Sequence, residues 1–185
     1  MQASAKYLNQ TNETEHLVAR CRKGDVRAFK ELYNNYSAAM YNICLRMTGN
    51  VNDAEDTLQE AFIQVFKNIE RLENAATVSA WIKRIVVNHC LNQLRKKKVY
   101  FEDVEEIEMP EDEKVDEHNY AFTVDTVKQA IQTLPDGYRT VLNLYLFEDF
   151  SHREIAGMLN ISESTVKTQY MRAKEKVRQI VKLKM

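Results

Sequence analysis

The segment from Trp81 to Arg95 carries residue types that bind nucleic acid, spaced along one side of a predicted helix. At 100° per residue, one aromatic ring, two amides and two guanidinium groups fall within about 80° of one another. These residues are Trp81, Arg84, Asn88, Asn92 and Arg95. Amides and guanidiniums read base edges, cations bind phosphate, and an aromatic ring stacks on an unpaired base. The pattern favours a nucleic-acid contact over its alternative, a packed tryptophan among ordinary surface cations.

The opposite side of the same helix predicts a buried face, with Ile82, Ile85, Val86, His89 and Cys90 turned inward.

A row of acidic side chains marks the preceding predicted helix, Asp53–Leu72, for which Asn52 or Asp53 is the expected N-cap. Its apolar residues recur at spacings of 4, 3, 4 and 3 and form one face: Leu58, Phe62, Val65, Ile69 and Leu72. Asp53, Asp56 and Glu60 lie opposite, and Ile63 shares that outer side. This face predicts a docking surface for a basic partner, with a solvated helix face as the alternative.

A helix-turn-helix pattern occupies the C-terminal part of the chain. Ser151 caps a short helix that ends at Leu159, and Asn160 and Ser162 form the turn before a longer helix. The inward seam of the longer helix is Val166, Tyr170, Ala173 and Val177. Its outer side is Ser164, Lys167, Thr168, Met171 and Arg172. Hydroxyls and cations near the start of such a helix suit major-groove contact, whereas the alternative is a plain amphipathic hairpin.

Helical periodicity and low glycine and proline counts predict an all-α fold. Four Gly and two Pro in 185 residues exclude collagen-like and turn-dense all-β architectures. The remaining predicted helices are 13–22, 26–36, 37–47, about 77–97, 124–133 and 137–146. Two small helical domains, 14–98 and 120–184, are expected on either side of a flexible linker, 99–119.

Charge is segregated along the chain although the net charge is only −1. Residues 83–98 carry a net charge of +6 and residues 151–185 carry +5, whereas residues 99–118 carry −9. Two basic zones on either side of an acidic linker indicate a polyanionic partner that the chain contacts at two separate sites.

Several classes of protein are disfavoured. No apolar stretch is long enough for membrane insertion, and the N-terminus lacks a signal-peptide core, so we expect a cytoplasmic protein. The three cysteines do not form a disulfide or zinc pattern. His16, His89, His118 and His152 show no ligand spacing, so we expect no metal, no cofactor and no catalysis.

Four ordered motifs resemble bacterial sigma factors of the extracytoplasmic-function type, in the sigma-70 family. They are GDVRAFKELYNNY, LRMTGNVNDAEDTLQEAFIQVFKNI, AWIKRIVVNHCLNQLRKKK and LPDGYRTVLNLYLFEDFSHREIAGMLNISESTVKTQYMRAKEKV, and together they cover nearly the whole chain. The resemblance implies a specificity subunit that binds core RNA polymerase and directs initiation at promoter DNA.

In the first domain, sigma region 2, the resemblance implies two surfaces. The acidic helix would grip the clamp helices of the polymerase β′ subunit through Asp53, Asp56, Gln59 and Glu60. The next helix would melt the −10 element through Trp81, Arg84, Asn88, Asn92 and Arg95. The loop 74–78 would form the pocket for a flipped base.

In the second domain, sigma region 4, the resemblance implies −35 recognition and contact with the β-flap. Ser164, Thr165, Lys167, Thr168 and Arg172 hold the matching positions. Asn160, Gln169 and Met171 depart from the common pattern, which leaves the −35 sequence open. The resemblance also implies that the acidic linker threads through the RNA channel, with a solubilising spacer as the alternative, and that an anti-sigma factor is a common partner.

The main alternative is a stand-alone transcriptional regulator. It explains residues 151–185 equally well, but it accounts for neither the Trp81–Arg95 face nor the acidic linker.

Overall fold

The computed structural model describes residues 2–97 and 124–183, with side chains described for 12–97 and 124–182. Within these ranges the chain forms eight α-helices and two short 3₁₀ turns, with no strand, which confirms the predicted all-α fold. None of the described helices is long and apolar enough to cross a bilayer.

The described elements fall into two runs, residues 2–96 and 124–183, and within each run the connections are short. The helices are α1 Gln2–Arg22, α2 Val26–Thr48, α3 Val51–Asn68, α4 Val78–Lys96, α5 Val124–Gln132, α6 Asp136–Leu146, α7 His152–Leu159 and α8 Glu163–Leu183. The 3₁₀ turns, Ile69–Arg71 and Ala75–Thr77, lie between α3 and α4.

The chain divides into two compact units, Met1–Gln93 and Leu94–Met185, so the division falls inside α4. The predicted linker 99–119 lies outside the described residues, and the domain limits 14–98 and 120–184 stay predictions.

Helix α2 corrects the sequence prediction of two helices that meet between Tyr36 and Ser37. It is continuous because neither glycine nor proline interrupts it there, and its buried face runs on through Met40 and Met47. Asp25 caps its start by accepting hydrogen bonds from the Arg27 and Ala28 backbone amides at 2.8 and 3.3 Å. It ends at Gly49, whose φ of 68° lies in the left-handed region that glycine adopts without strain.

Helix α3 differs from its prediction at both ends. Its N-cap is Asn50 rather than Asn52 or Asp53, and the Asn50 side chain accepts a hydrogen bond from the Asp53 amide at 3.1 Å. The helix ends at Asn68, so Ile69 lies in the following 3₁₀ turn and Leu72 directly after that turn. Ile69 and Leu72 are nevertheless both buried, at 3% exposure each.

The core of the first unit forms where α1 packs on α2 and α2 packs on α3. Four aromatic rings join α2 and α3, with ring centroids 4.9 Å apart for Phe29 and Phe66 and 4.8 Å apart for Tyr33 and Phe62. Tilted aromatic pairs at this separation add to the free energy gained from burying their area.

The second unit is built around α8, which packs against α5, α6 and α7. Its buried cluster consists of Ile131, Leu134, Leu142 and Ala173. The spacing from Val166 to Val177 predicted that this side of α8 turns inward, and these residues are buried or partly buried.

A buried arginine holds the connection between α5 and α6. The Arg139 side chain is only 7% exposed. Its guanidinium donates hydrogen bonds to the Gln132 and Leu134 carbonyl oxygens at 3.2 and 2.9 Å and to the Asp136 carboxylate. These bonds satisfy carbonyls at the end of α5 that have no partner in the helix ladder.

We expect Arg139→Gln to lower the free energy of unfolding by about 2 kcal/mol, because it strips charged donors from buried carbonyls. Equilibrium urea unfolding followed by circular dichroism measures the change. Lys128→Gln is the matched control, since that lysine lies on α5 and its side chain is 67% exposed. Equal losses in the two variants would contradict the assigned role of Arg139.

Candidate nucleic-acid and protein interfaces

Helix α4 presents the predicted polar face along one continuous helix. Arg84, Asn88, Asn92 and Arg95 are exposed, and Trp81 is half-buried. Trp81 is thus partly packed and partly accessible, and its role in binding stays a prediction. Arg95 lies in the last turn of α4, beyond the division between the two units.

The inward face of α4 is buried at Ile82, Val86, Val87 and Cys90, each with 0% exposure. Ile85 and His89, also expected to turn inward, are half-buried. A helix whose one side is fully packed cannot rotate about its axis, so the polar face has a fixed direction.

The loop before α4 is held by its own polar groups. Asn74 Oδ1 accepts a hydrogen bond from the Ala76 amide at 2.9 Å. The Asn74 carbonyl accepts hydrogen bonds from the Thr77 hydroxyl at 2.8 Å and from the Thr77 amide at 3.0 Å. Val78 is buried at the start of α4, whereas Asn74, Ala76 and Thr77 are exposed. The loop is therefore a preformed turn with an open outer surface.

Helix α3 presents the acidic face. Asp56, Gln59 and Glu60 are exposed and Asp53 is half-buried, while Leu58 and Phe62 lie in the core. Ile63 is 50% exposed beside these acidic groups. This face combines negative charge with one exposed apolar side chain. Such a combination is more typical of a surface that binds a basic protein than of a face that is only solvated.

One contact connects the acidic face to α4. The Glu60 Oε2 atom lies 3.7 Å from Nδ1 of His89, whose side chain is 22% exposed. The sequence placed Glu60 and His89 on separate faces of separate helices, so it gave no sign of this pair.

The helix-turn-helix forms as predicted. Ser151 and Glu154 make a reciprocal capping box at the start of α7, and Asn160 adopts the left-handed conformation at its end with φ 57°. The Ser162 hydroxyl then caps α8 by accepting a hydrogen bond from the Thr165 amide at 3.0 Å. Asparagine serves here where the common pattern has glycine, because it tolerates this conformation.

The outer face of α8 corrects one predicted DNA contact. Thr165 is 3% exposed, and its hydroxyl lies 2.7 Å from the Ser162 hydroxyl, so its side chain takes part in the helix cap. Gln169 is also 3% exposed. The four other predicted contacts reach the surface: Ser164 and Lys167 are exposed, and Thr168 and Arg172 are half-buried.

The ammonium group of Lys167 lies 2.8 Å from a carboxylate oxygen of Glu163, one helical turn earlier. The hydrogen bond from Lys167 lowers the pKa of Glu163. An exposed pair of this kind is weak in water, so the cation remains accessible to a stronger anion such as phosphate.

Three rings from three helices pack inside the second unit. Tyr145 of α6 and His152 of α7 stack almost parallel, with centroids 4.3 Å apart and planes 6° apart. Tyr170 of α8 lies 4.6 Å from Tyr145 and 5.6 Å from His152. The spacing in α8 predicted that Tyr170 turns inward, but the partners on other helices follow from tertiary packing alone.

The described residues also bear on the expectation that cysteine and histidine form no disulfide and no metal site. Cys21, Cys44 and Cys90 are buried in the core and take part in no disulfide. Burial raises the pKa of Cys21 to about 11, which keeps its thiol protonated at neutral pH. Within the described ranges, no three His, Cys, Asp or Glu side chains come together as a metal site.

Comparison with known proteins gives matches in both units. The family profile Sigma-70 region 2 matches residues 32–99, and the profile Sigma-70, region 4 matches residues 125–177. The chain is 35% identical over 177 residues to the ECF RNA polymerase sigma factor SigW of Bacillus subtilis, covering 87% of this chain and 92% of that protein. It is 30% identical over 181 residues to the RNA polymerase sigma-H factor of Pseudomonas aeruginosa, covering 89% and 92%.

Two solved structures share the fold. One is the sigma factor RpoE in complex with the anti-sigma factor NepR from Bartonella quintana, with a TM-score of 0.55, 19% identity, and coverage of 86% of this chain and 100% of that one. The other is CnrH in complex with the cytosolic domain of CnrY, with a TM-score of 0.53, 19% identity, and coverage of 91% and 97%.

The stability of the chain should fall at mildly acidic pH through His152. Burial lowers the pKa of His152, and the charge of Lys167 lowers it further. The unfolded chain therefore binds the proton more readily. The contribution of His152 is fully present above its unfolded pKa of about 6.5 and is lost as the pH falls from there to the lower folded value.

Urea unfolding at a series of pH values measures this effect. His152→Phe keeps a flat ring against Tyr145 and removes the titration, so its loss of stability on acidification should be smaller than that of the unchanged chain. His16→Gln, at an exposed histidine, should keep the original pH dependence. Parallel pH profiles for His152→Phe and the unchanged chain would refute the assignment.

Proposed function

Because the chain belongs to the extracytoplasmic-function group of sigma-70 family RNA polymerase sigma factors, we propose that its exposed faces divide the work of promoter recognition. As a sigma factor it is a regulatory subunit that acts in promoter-specific transcription initiation. The fixed polar face of α4 is the main observation that supports this division of roles. A helix-turn-helix alone would serve a stand-alone regulator equally well.

The acidic face of α3 binds core polymerase at the clamp helices of β′. Its exposed carboxylates Asp56 and Glu60, the Gln59 amide and the half-buried Asp53 offer acceptors to a basic partner. Ile63 supplies the apolar contact that interfaces place among such polar groups. Negative charge also keeps this face off DNA, which separates polymerase binding from promoter binding.

The α4 face and the loop 74–78 bind the melted −10 strand. Unstacking a base costs a few kcal/mol, so a protein that holds the open strand must supply both stacking and phosphate contacts. Trp81 offers a partly accessible ring, Arg84 and Arg95 offer cations, and Asn88 and Asn92 offer amides for base edges. The preformed turn at Asn74 supplies an open surface beside the first turn of α4.

Helix α8 reads the −35 element as duplex DNA. Ser164 and Lys167 lie in its first turns, where a recognition helix meets the major groove, with Thr168 and Arg172 following. Thr165 contributes indirectly, because its hydroxyl holds the Ser162 cap that starts the helix. Contact between this unit and the β-flap belongs to the same proposal.

The remaining parts of the proposal concern context. The chain acts without catalysis and without a cofactor, in the cytoplasm, where the polymerase of its relatives works. An anti-sigma factor is a further partner, because a protein of the same fold, the sigma factor RpoE, is known in complex with the anti-sigma factor NepR. The acidic residues 99–118 keep their predicted role as a linker that threads the RNA channel.

Two substitutions should separate polymerase binding from promoter melting. Asp56→Lys reverses a charge on α3 and should weaken binding to core polymerase about tenfold while the fold is retained. Asn88→Ala should leave core binding intact and reduce open-complex formation about tenfold, the cost of one lost base contact. Fluorescence anisotropy measures core binding, and permanganate footprinting measures melting.

Asn42→Ala, an exposed asparagine in the middle of α2, is the matched control for Asn88→Ala and should change neither quantity. Normal melting by Asn88→Ala would refute the α4 assignment. Specific duplex binding without polymerase, and no effect on start-site choice, would instead favour the stand-alone regulator.

Lys167→Ala should weaken binding of the holoenzyme to promoter DNA and reduce the salt dependence by about one counterion. Lys128→Ala is the matched control, because Lys128 also pairs with an acid on its own helix, at 3.8 Å, but lies on α5. Affinities measured over a range of potassium chloride concentrations give the slope. An unchanged slope for Lys167→Ala would rule out its phosphate contact.

A further inference from the structure

The connection between α3 and α4 rests on α1. Helix α1 packs against both 3₁₀ turns of this connection, and Leu17, Val18 and Cys21 are buried along α1. Leu72, between the two turns, is 3% exposed. The first helix of the chain therefore supports a segment that lies some 50 residues further on.

One side chain of α1 also fixes the orientation of a peptide group in this connection. The guanidinium of Arg22, in the last turn of α1, donates a hydrogen bond from Nη2 to the carbonyl oxygen of Leu72. That carbonyl lies where the backbone has left one 3₁₀ turn and not yet entered the next. A charged donor to such a carbonyl fixes the direction of the peptide group as well as its place.

The fixed peptide lies two residues before Asn74, whose side chain and carbonyl organise the turn that leads into α4. With the Leu72 carbonyl held on one side and Val78 buried on the other, the exposed turn is anchored at both ends. A shift of the Leu72 peptide would be passed to Asn74 through a single intervening residue.

We infer that Arg22 is a positioning residue for the base pocket of the −10 strand, and that it sets how strictly the loop 74–78 discriminates between bases. The inference rests on the proposed function of that loop. Arg22 does not touch DNA in this role: it acts through the Leu72 carbonyl on the shape of the loop. A pocket that must reject wrong bases needs its walls held within fractions of an ångström.

The experiment uses holoenzyme and a promoter mapped from transcript 5′ ends, with each non-template −10 base replaced in turn. Arg22→Met removes the donor and keeps the side-chain stem, and Arg22→Lys restores one charged donor. Open-complex formation is measured on the native promoter and on each replaced promoter, and the ratio of the two values is the discrimination between bases. A variant that only lowers the amount of folded protein reduces both values and leaves their ratio unchanged.

We expect Arg22→Met to reduce discrimination at the captured base about fivefold, as the loss of one hydrogen bond would, with core binding unchanged. Arg22→Lys should recover part of it. Lys23→Met, at the neighbouring exposed cation, should keep the original ratio. The salt dependence of promoter binding should be the same for Arg22→Met and the unchanged chain.

Two results would overturn the inference. If Arg22→Met lowers affinity equally for all promoters and reduces the salt slope by about one, Arg22 contacts phosphate directly. If Asn74→Ala alters discrimination but Arg22→Met does not, the pocket exists without the support of Arg22. If neither variant alters it, the proposed pocket itself is wrong and the inference falls with it.

Discussion

Helix α4 packs into the core on one side and presents polar side chains on the other, and both faces belong to the same turns of backbone. The 3.6-residue period fixes the angle between Ile82 or Val86 on one side and Arg84 or Asn88 on the other. The complete burial of the apolar side therefore determines where the amides and guanidiniums are presented. The loop 74–78 leads directly into this helix, and Glu60 of the acidic face lies 3.7 Å from His89 on it, so both are placed relative to that direction.

In the second unit, polar caps fix the position of the helix-turn-helix. A short helix of eight residues has little stability of its own, and α7 is held at one end by the Ser151–Glu154 box and at the other by Asn160. The stack of Tyr145, His152 and Tyr170 then ties α7 to its neighbours. With the turn and Ser162 cap in place, the start of α8 is presented as a rigid surface.

The sequence was sufficient for features that depend on local rules. The all-α fold, the polar face of α4, the helix-turn-helix and the left-handed Asn160 all follow from periodicity, caps and turn chemistry. The break expected near Tyr36 was wrong because weak helix propensity in a few residues is overridden when the buried face continues. The N-cap of α3 was misplaced by a few residues for a related reason, since Asn50, Asn52 and Asp53 are all good caps.

Features that depend on how helices meet could not be read from the chain. Thr165 matched a DNA-contacting position of the family, but its hydroxyl serves the Ser162 cap, a choice that depends on the rotation of α8. The hydrogen bond from Arg22 to Leu72 and the pair of Glu60 with His89 join residues far apart in sequence. Both are products of tertiary packing, and no spacing rule reports them.

The Glu60–His89 pair gives the first unit a thermodynamic link between its two working helices. On the proposed assignment, a polymerase cation that engages Glu60 competes with the imidazole of α4 for the same carboxylate. Because thermodynamic linkage is reciprocal, formation of the pair opposes binding of that cation to the same extent as the cation opposes formation of the pair. On that assignment the acidic face of α3 and helix α4 are coupled through one carboxylate.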